Sequence, residues 1–450
     1  MRRQAVPCPE DETGGRAMPV IQRRALRAAQ SRSALVTLGV LGTLALIAIA
    51  LSRYGLSTLA VTHSAVRDWL HGAELYAYRE PVSQAGAALP PALAILLAPL
   101  VLLPLRAAGW ILALSGVAAL LLATVVLAGP IARRYGRRRT PLVLAAAGLA
   151  LLTEPVRAAL GEGRPELLLF GLVVADLVAL RRARRAQWWR TDRHLPLADR
   201  IRQTWADGSW AGVGTGLAAA FAVTPIFFLA GLLVLRQRRA ALTALTTAVT
   251  TTLAGLLFAP RETITWFGDT LWELNRTEPL NDAANQALAG VLARLYGFPA
   301  PPVLVWLSFG VLLLAVGLIR ARSAYAEGDE VAAFTMIGMA AAAFGPMTTP
   351  AELIWLVPAV LVLADGAIHR GTDIRRTRKI RRGEALLGAA AISGYALLLA
   401  APADLLAING YALALIVLVS ALPWRPAPAT TQRPGHPARR SAAIPVPRGG

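Results

Sequence analysis

Apolar residues run along this chain in long blocks, and short basic blocks separate them. The first, residues 34–52, carries no charge and at 1.5 Å per helical residue is long enough to cross about 30 Å of hydrocarbon. Residues 108–129, 141–153, 166–180, 240–258, 302–320, 331–345 and 353–367 repeat the pattern, as do 384–401 and 404–422. Two stretches deviate. Residues 90–104 are short and carry Pro90, Pro91, Pro99 and Pro104, which predicts a re-entrant or interfacial segment. Residues 209–235 hold Thr224 and Pro225 near their middle and end at a basic RQRR block, which predicts a hairpin of two short helices. Counting the hairpin as two passes, the expected architecture is an all-α polytopic membrane helix bundle of about 12 transmembrane helices.

Charge orients these helices. The first 33 residues carry Arg2, Arg3, Arg16, Arg23, Arg24, Arg27 and Arg32 and no cleavable apolar core, so they are expected to form a basic cytoplasmic tail, with Met1 and Met18 both available as starts. If 90–104 does not cross, Arg133, Arg134 and Arg137 to Arg139, the block RRARRAQWWRTDRH, and IHRGTDIRRTRKIRRGE all fall on the cytoplasmic side. The Trp pair 188–189 then reads as an interfacial anchor, and residues 425–450 as a disordered Pro-rich cytoplasmic tail behind the 34–424 membrane domain. Asp176 and Asp365 lie near the same ends, where snorkelling or pairing with Arg181 or His369 is expected.

Composition agrees. With 56% hydrophobic and 16% charged residues a soluble globule is excluded, and the net charge of +20 reads as membrane topology rather than nucleic-acid binding. A single cysteine, Cys8, excludes an internal disulfide and speaks against a Cys-based metal site; no HxxxH spacing is present, so no metal or other cofactor is expected.

On the outer side the topology gathers residues 53–89, 154–165, 223–225, 259–301 and 345–352, including two loops longer than passive connections require. The carboxylates available there as bases are Asp68, Glu74, Glu80, Glu154, Glu162, Glu262, Asp269, Asp282 and Glu352; the cations are Arg164, Arg261, Arg276 and Arg294. Each has an ordinary alternative: Asp68 as an exposed interfacial charge, Arg261 and Arg294 as headgroup anchors, and Asn285 as the cap of a following helix rather than a sugar contact shared with Gln286.

The order LHGAELY, ALPPALAILLAPLVLLP, AAFAVTPIFFLAGLL, the long loop from LFAPRETITW to ALAGVLARL, and FGPMTTPAELIWLVPAVLVL resembles the family 87 glycosyltransferases, polyprenyl-phosphate-mannose-dependent mannosyltransferases of actinobacteria with the GT-C fold. The resemblance covers roughly residues 34–422, and Asn285, Gln286, Ala287 and Leu288 resemble the family's Asn-Gln-Ser-Leu. It implies a multi-pass cell-membrane enzyme that transfers mannose from a polyprenyl-phosphate donor to a glycolipid or lipoglycan acceptor at an extracytoplasmic site. Substrate contact by Tyr76, Arg164, Arg261, Arg276, Asn285, Gln286 and Glu352 is then expected. The family's first-loop Asp, a general base, aligns with Thr58, which leaves Asp68 or Glu74 as substitutes. The paired histidines of a later turn are replaced by Ala351 and Glu352, and a Gly-Gln-x-Asn motif reads Gly163, Arg164, Pro165, Glu166. These departures keep a second expectation open, a catalytically silent relative that binds lipid-linked sugar or assists envelope assembly.

Overall fold

The computed structural model describes residues 20–135, 139–186, 197–377, 382–399 and 408–425. Both terminal tails, apart from residues from Val20 onward and up to Arg425, and the Trp188–Trp189 pair lie outside the described residues. Two compact units are distinguished, residues 1–49 and residues 50–450. The described part of the first is helical from Val20.

The described secondary structure is helical throughout, apart from one isolated bridge between Arg79 and Gly86. In chain order the helices are α1 (Val20–Tyr54), α2 (Ser57–Leu70), α3 (Pro91–Val101), α4 (Leu105–Tyr135), α5 (Arg139–Leu151) and α6 (Glu154–Glu162). They continue with α7 (Glu166–Ala186), α8 (Leu197–Asp207), α9 (Val213–Phe221), α10 (Ile226–Val234), α11 (Arg238–Phe258) and α12 (Pro260–Gly268). The rest are α13 (Leu288–Tyr296), α14 (Val303–Ala326), α15 (Glu330–Phe344), α16 (Leu356–Thr377), α17 (Arg382–Leu399) and α18 (Gly410–Ala421).

Five described helices are long and apolar enough to cross a membrane: Val36–Tyr54, Leu105–Arg133, Arg238–Phe258, Val303–Ala326 and Pro350–His369. A sixth arises if α5 and α6, bent by 64°, form one broken span. The chain is therefore a multi-pass membrane protein, and five or six of the expected twelve or so spans are long apolar helices among the described residues. Length and charge set the rest apart. The apolar helices Pro91–Val101, Glu330–Phe344, Ala385–Leu399 and Gly410–Ala421 are too short to span 30 Å unaided, and α7 ends in an arginine-rich turn. α9 and α10, nine residues each, form the expected hairpin of two short helices, broken at Val223 to Pro225.

Proline and glycine set the breaks that matter for the site. Pro91, Pro155 and Pro260 stand in the first turns of α3, α6 and α12, where a missing N–H costs nothing. Gly163 ends α6 in the left-handed region (φ +71°), and a Cβ there would meet the Leu59 Cβ at 2.6 Å, so only glycine fits. α15 is buried nearly throughout, with small residues on all sides that let its neighbours approach. Asp176 of α7, fully buried, accepts from the backbone N–H groups of Gly212, Gly214 and Thr215 at 2.9, 3.2 and 2.7 Å. This corrects the expected pairing with Arg181: the carboxylate satisfies the open N-terminal amides of α9, and Arg181 binds Glu330 at 2.7 Å.

Candidate functional site

The site forms where the N-terminus of α2, the α6–α7 turn, the loop 273–287 and the turn 345–352 converge. α2 starts after Gly55 and Leu56, both in the left-handed region, and the Leu56 N–H donates to the Gly161 carbonyl at 2.9 Å. This tie brings Thr58, in the first turn of α2, to the end of α6. Directly after Gly163 the chain turns back into α7 at Pro165, and the side chain of Arg164 is left in the gap.

Arg164 organises the cluster. Its Nε lies 2.6 Å from Glu162 Oε2 and donates to the Thr58 hydroxyl at 3.2 Å; its Nη1 lies 3.3 Å from Glu352 Oε1 and 3.9 Å from Glu166 Oε1. The four acidic and basic side chains are mostly buried, at 11% exposure for Arg164 and 25% for the most open carboxylate, Glu352. Glu278, in the loop 273–287, completes the ring electrostatically with Arg164 and Glu162. Burial pushes the Glu278 carboxyl above the ordinary glutamate range, opposed by the charge of Arg164. For Arg164 burial works to lower the pKa, and Glu166, Glu162 and Glu352 outweigh it, so the guanidinium is held charged. One carboxylate oxygen each of Glu166 and Glu278 is buried without a hydrogen-bond partner among the described residues.

With four carboxylates around one guanidinium, the cluster carries excess negative charge. Such an arrangement repels a phosphate and suits groups that donate hydrogen bonds, above all sugar hydroxyls. Glu352 and its neighbours are also placed to take a proton from a hydroxyl within reach.

The other expected site residues fall elsewhere. Asp68 and Glu74 are exposed at and beyond the far end of α2, Asp68 about 15 Å along the helix axis from Thr58. Arg276 is buried and serves as a strap. Its guanidinium donates to the carbonyls of Ala87 (2.7 Å) and Tyr76 and pairs with Glu273 at 2.6 Å, which fastens the second loop to the first. Tyr76 spends its hydroxyl on the Leu89 carbonyl at 3.0 Å and packs its ring near Trp266. Trp69 adds a second tie by donating to Glu262 at 2.8 Å.

Asn285 and Gln286 are fully buried, and their amides are engaged by the protein. Asn285 donates to the carbonyls of Leu280 and Pro346 at 2.9 and 3.0 Å and accepts from the N–H groups of Ala287 and Thr348, both at 3.1 Å. The Gln286 amide donates to Ala283 and accepts from the Ala412 N–H. The pair pins the loop 273–287 to the turn that carries Glu352. Arg294, bonded to Asp282, Asn285 and Asn409, holds the same loop from below, and Arg261 is exposed at the start of α12. Glu166 and Glu278 are the members that sequence reasoning missed. Glu166 had a signal in its position after the Arg164–Pro165 turn, whereas nothing local marks Glu278. Among the described residues no group of three or more His, Cys, Asp or Glu is arranged to hold a metal ion.

Beside the first loop lies a small apolar recess of about 100 Å³, lined among others by Pro90, Pro91, Val223, Ile226, Thr263 and Trp266.

Comparison with known proteins bears on this arrangement. The chain is 27% identical over 312 residues, 66% of its length and 67% of the relative's, to a polyprenol-phosphate-mannose-dependent alpha-(1-2)-phosphatidylinositol mannoside mannosyltransferase of Mycobacterium tuberculosis. The enzyme of the same description from Mycolicibacterium smegmatis is 27% identical over 326 residues, 68% of each chain. A pentamannoside mannosyltransferase of Mycobacterium tuberculosis, also polyprenol-phosphate-mannose-dependent, is 24% identical over 224 residues, 48% of this chain and 44% of that one. No solved structure matches. The family model of glycosyltransferase family 87 matches residues 89–350, more than half of the chain, and with them the α6–α7 turn and the loop 273–287 that meet around Arg164; the chain belongs to that family.

Proposed function

We propose that this membrane glycosyltransferase transfers a mannosyl group from a polyprenyl-phosphate-mannose donor to a hydroxyl of a phosphatidylinositol mannoside or related glycolipid, at the Arg164 cluster. The observation that carries this reading is the set of four glutamates coupled to Arg164 beside Thr58, an acidic cluster suited to sugar hydroxyls. In the reaction the acceptor oxygen forms a bond to the anomeric carbon of mannose, and the bond from that carbon to the donor phosphate oxygen breaks. The acceptor's proton passes to a carboxylate, which we assign to Glu352, and polyprenyl phosphate departs with the electron pair. Arg164 holds Glu352 in place through their ion pair at 3.3 Å. The departing phosphate needs a cation outside the acidic ring, and the exposed Arg261 offers one; the apolar recess at Pro90 and Trp266 suits an isoprenoid unit.

Thr58, which has no proton-accepting carboxylate, favours a second reading, a silent relative that binds lipid-linked sugar. The purified full-length protein, incubated with radiolabelled polyprenyl-phosphate-mannose and a phosphatidylinositol mannoside, is expected to release labelled glycolipid. Donor binding without any labelled product would overturn the enzyme reading and leave the second.

A further inference from the structure

At the other end of the bundle a cavity of about 620 Å³ opens between the ends of α4, α7, α15 and α16. Its distance from the Arg164 cluster follows from the helices that join them. α4 passes Leu56 at Gly109 and reaches the cavity at Ile131, about 33 Å further along its axis. That separation is comparable to the roughly 30 Å thickness of a bilayer's hydrocarbon core.

The lining is unusual for a membrane protein. Among the described lining residues Arg133, Arg181, Arg184, Arg185 and Arg425 face three carboxylates, Asp329, Glu330 and Asp365, two fewer negative charges than positive ones. Glu330 engages Arg181 at 2.7 Å and Arg184 at 2.9 Å, and Arg184 also stacks over the Tyr325 ring. The remaining cations are differently placed. Arg133 and Arg185 are exposed at the rim and make no ion pair among the described residues. Arg425 has a buried Nη1 with no hydrogen-bond partner, 3.9 Å from Asp365. Its backbone N–H donates to Asp329 at 3.0 Å, which anchors the chain at the edge of the cavity. Apolar residues complete the wall, among them Pro130, Val362, Leu387 and Trp424.

A partly exposed guanidinium whose buried Nη1 has no hydrogen-bond partner, with two further forks at the rim, matches an acceptor with several oxygens and negative charge, and an apolar wall matches a body attached to it. The volume is larger than a bare anion requires. We infer that this cavity binds the phosphate group of an anionic amphiphile or phosphate ester through Arg133, Arg185 and Arg425, at a site separate from the Arg164 cluster. Binding here does not depend on the transfer reaction.

The test uses full-length protein in an uncharged detergent and measures dissociation constants by native mass spectrometry for two probes, dioctanoyl phosphatidylglycerol and glycerol 3-phosphate. Saturable one-to-one binding is expected, weakened about tenfold or more in the Arg133→Gln/Arg185→Gln double variant and in Arg425→Gln, and unchanged in Arg238→Gln on an exposed helix face. Binding of the phospholipid alone assigns the phosphate to the membrane, and competition by glycerol 3-phosphate assigns it to a soluble ester. Failure of both probes to bind the wild type overturns the proposal, and so does equal affinity in the wild type and in both cavity variants. Thermal unfolding of each variant verifies that it is folded.

Discussion

The Nε of Arg164 donates to the hydroxyl of Thr58 at 3.2 Å, so the α6–α7 turn and the first residues of α2 are joined at the point where four glutamates gather. Thr58 is a neutral hydrogen-bond acceptor at a place where charge is abundant. The carboxylates that a proton transfer requires stand around it, on three other segments of the chain, and Glu352 is the one that reaches Arg164 from the turn 345–352.

If Glu352 takes the acceptor's proton, Glu352→Gln lowers kcat by about 10²–10⁴-fold with little change in KM, because the amide keeps the shape and loses the basicity. Asp68→Asn, exposed at the far end of α2, changes the rate less than threefold, within the small effects of about 0.5 kcal/mol common for surface substitutions. Initial rates with labelled polyprenyl-phosphate-mannose distinguish the two. Equal losses in both variants would count against the assignment.

Arg164 is the guanidinium set among the four carboxylates, and removing it leaves them facing one another in a mostly buried ring. Arg164→Met is expected to cost on the order of 3 kcal/mol of stability, the usual scale for breaking a buried pair on one side. The loss grows as rising pH ionises Glu166 and Glu278, whose carboxyls burial pushes above the ordinary glutamate range, and shrinks in acid as they protonate. Thermal unfolding of the detergent-solubilised protein at pH 5 and pH 8 measures both.

Glu278 gives a titration of known sign. Burial raises its carboxyl above the unfolded value of 4.5, so between that value and the raised one the folded state binds more protons than the unfolded state. The stability contributed by this group is therefore full below about pH 4.5 and is lost as the pH rises through the folded pKa. Glu278→Gln removes the titration. Its melting temperature should exceed that of the wild type at pH 8 and converge on it near pH 4; a constant difference across that range would contradict the assignment.

The strap made by Arg276 supplies a prediction about loops. Its side chain is 4% exposed and fills the Ala87 and Tyr76 carbonyls, so Arg276→Ala leaves both acceptors buried and unsatisfied, at about 1–3 kcal/mol each. Limited proteolysis should cut within residues 79–90 or 273–287 sooner than in the wild type, with the cores of α4 and α15 remaining protected. Cleavage kinetics identical to the wild type would show that the strap is dispensable.

How much of this was legible in the sequence depends on the distance between the residues involved. Apolar block length marked α4, α11 and α14 as spans, and Pro225 marked the break between α9 and α10, because each signal is local. Gathering the polar segments on one side also placed Thr58, Arg164 and Glu352 in one region. The roles of Asp176, Arg276, Asn285 and Gln286 were not legible. Each bonds backbone groups far along the chain, as Asp176 does at Gly212 and Asn285 at Thr348, and nothing in spacing or periodicity distinguishes an amide that pins a loop from one that meets a sugar. The same holds for Glu278, whose relation to Arg164 exists only once the loop 273–287 is anchored at both ends.

Packing behind the site connects it to the core of the bundle. Trp355 follows Glu352 by three residues, and its indole rests against Phe170 and Phe228, with ring centroids 4.8 and 4.9 Å away. It lies flat on Gly338 of the buried helix α15: a Cβ at that glycine would fall 2.2 Å from the indole Cδ2. The indole Cγ and Cε2 would also lie within 2.6 Å, so Gly338→Ala shifts Trp355 and, with it, the short helix Pro350–Trp355 that carries Glu352. Overpacking of this kind costs about 1–3 kcal/mol in stability. The transfer rate should fall by more than the melting temperature alone accounts for, since a displacement of about 1 Å at a catalytic group is costly in itself. Comparing kcat with the unfolding midpoint in Gly338→Ala and in Gly310→Ala, where the Cβ would instead meet Phe344 at 2.8 Å, separates the two effects. Both substitutions strain the core; the first pushes on Trp355, within the short helix that carries Glu352, and the second on Phe344, at the opposite end of the turn 345–352.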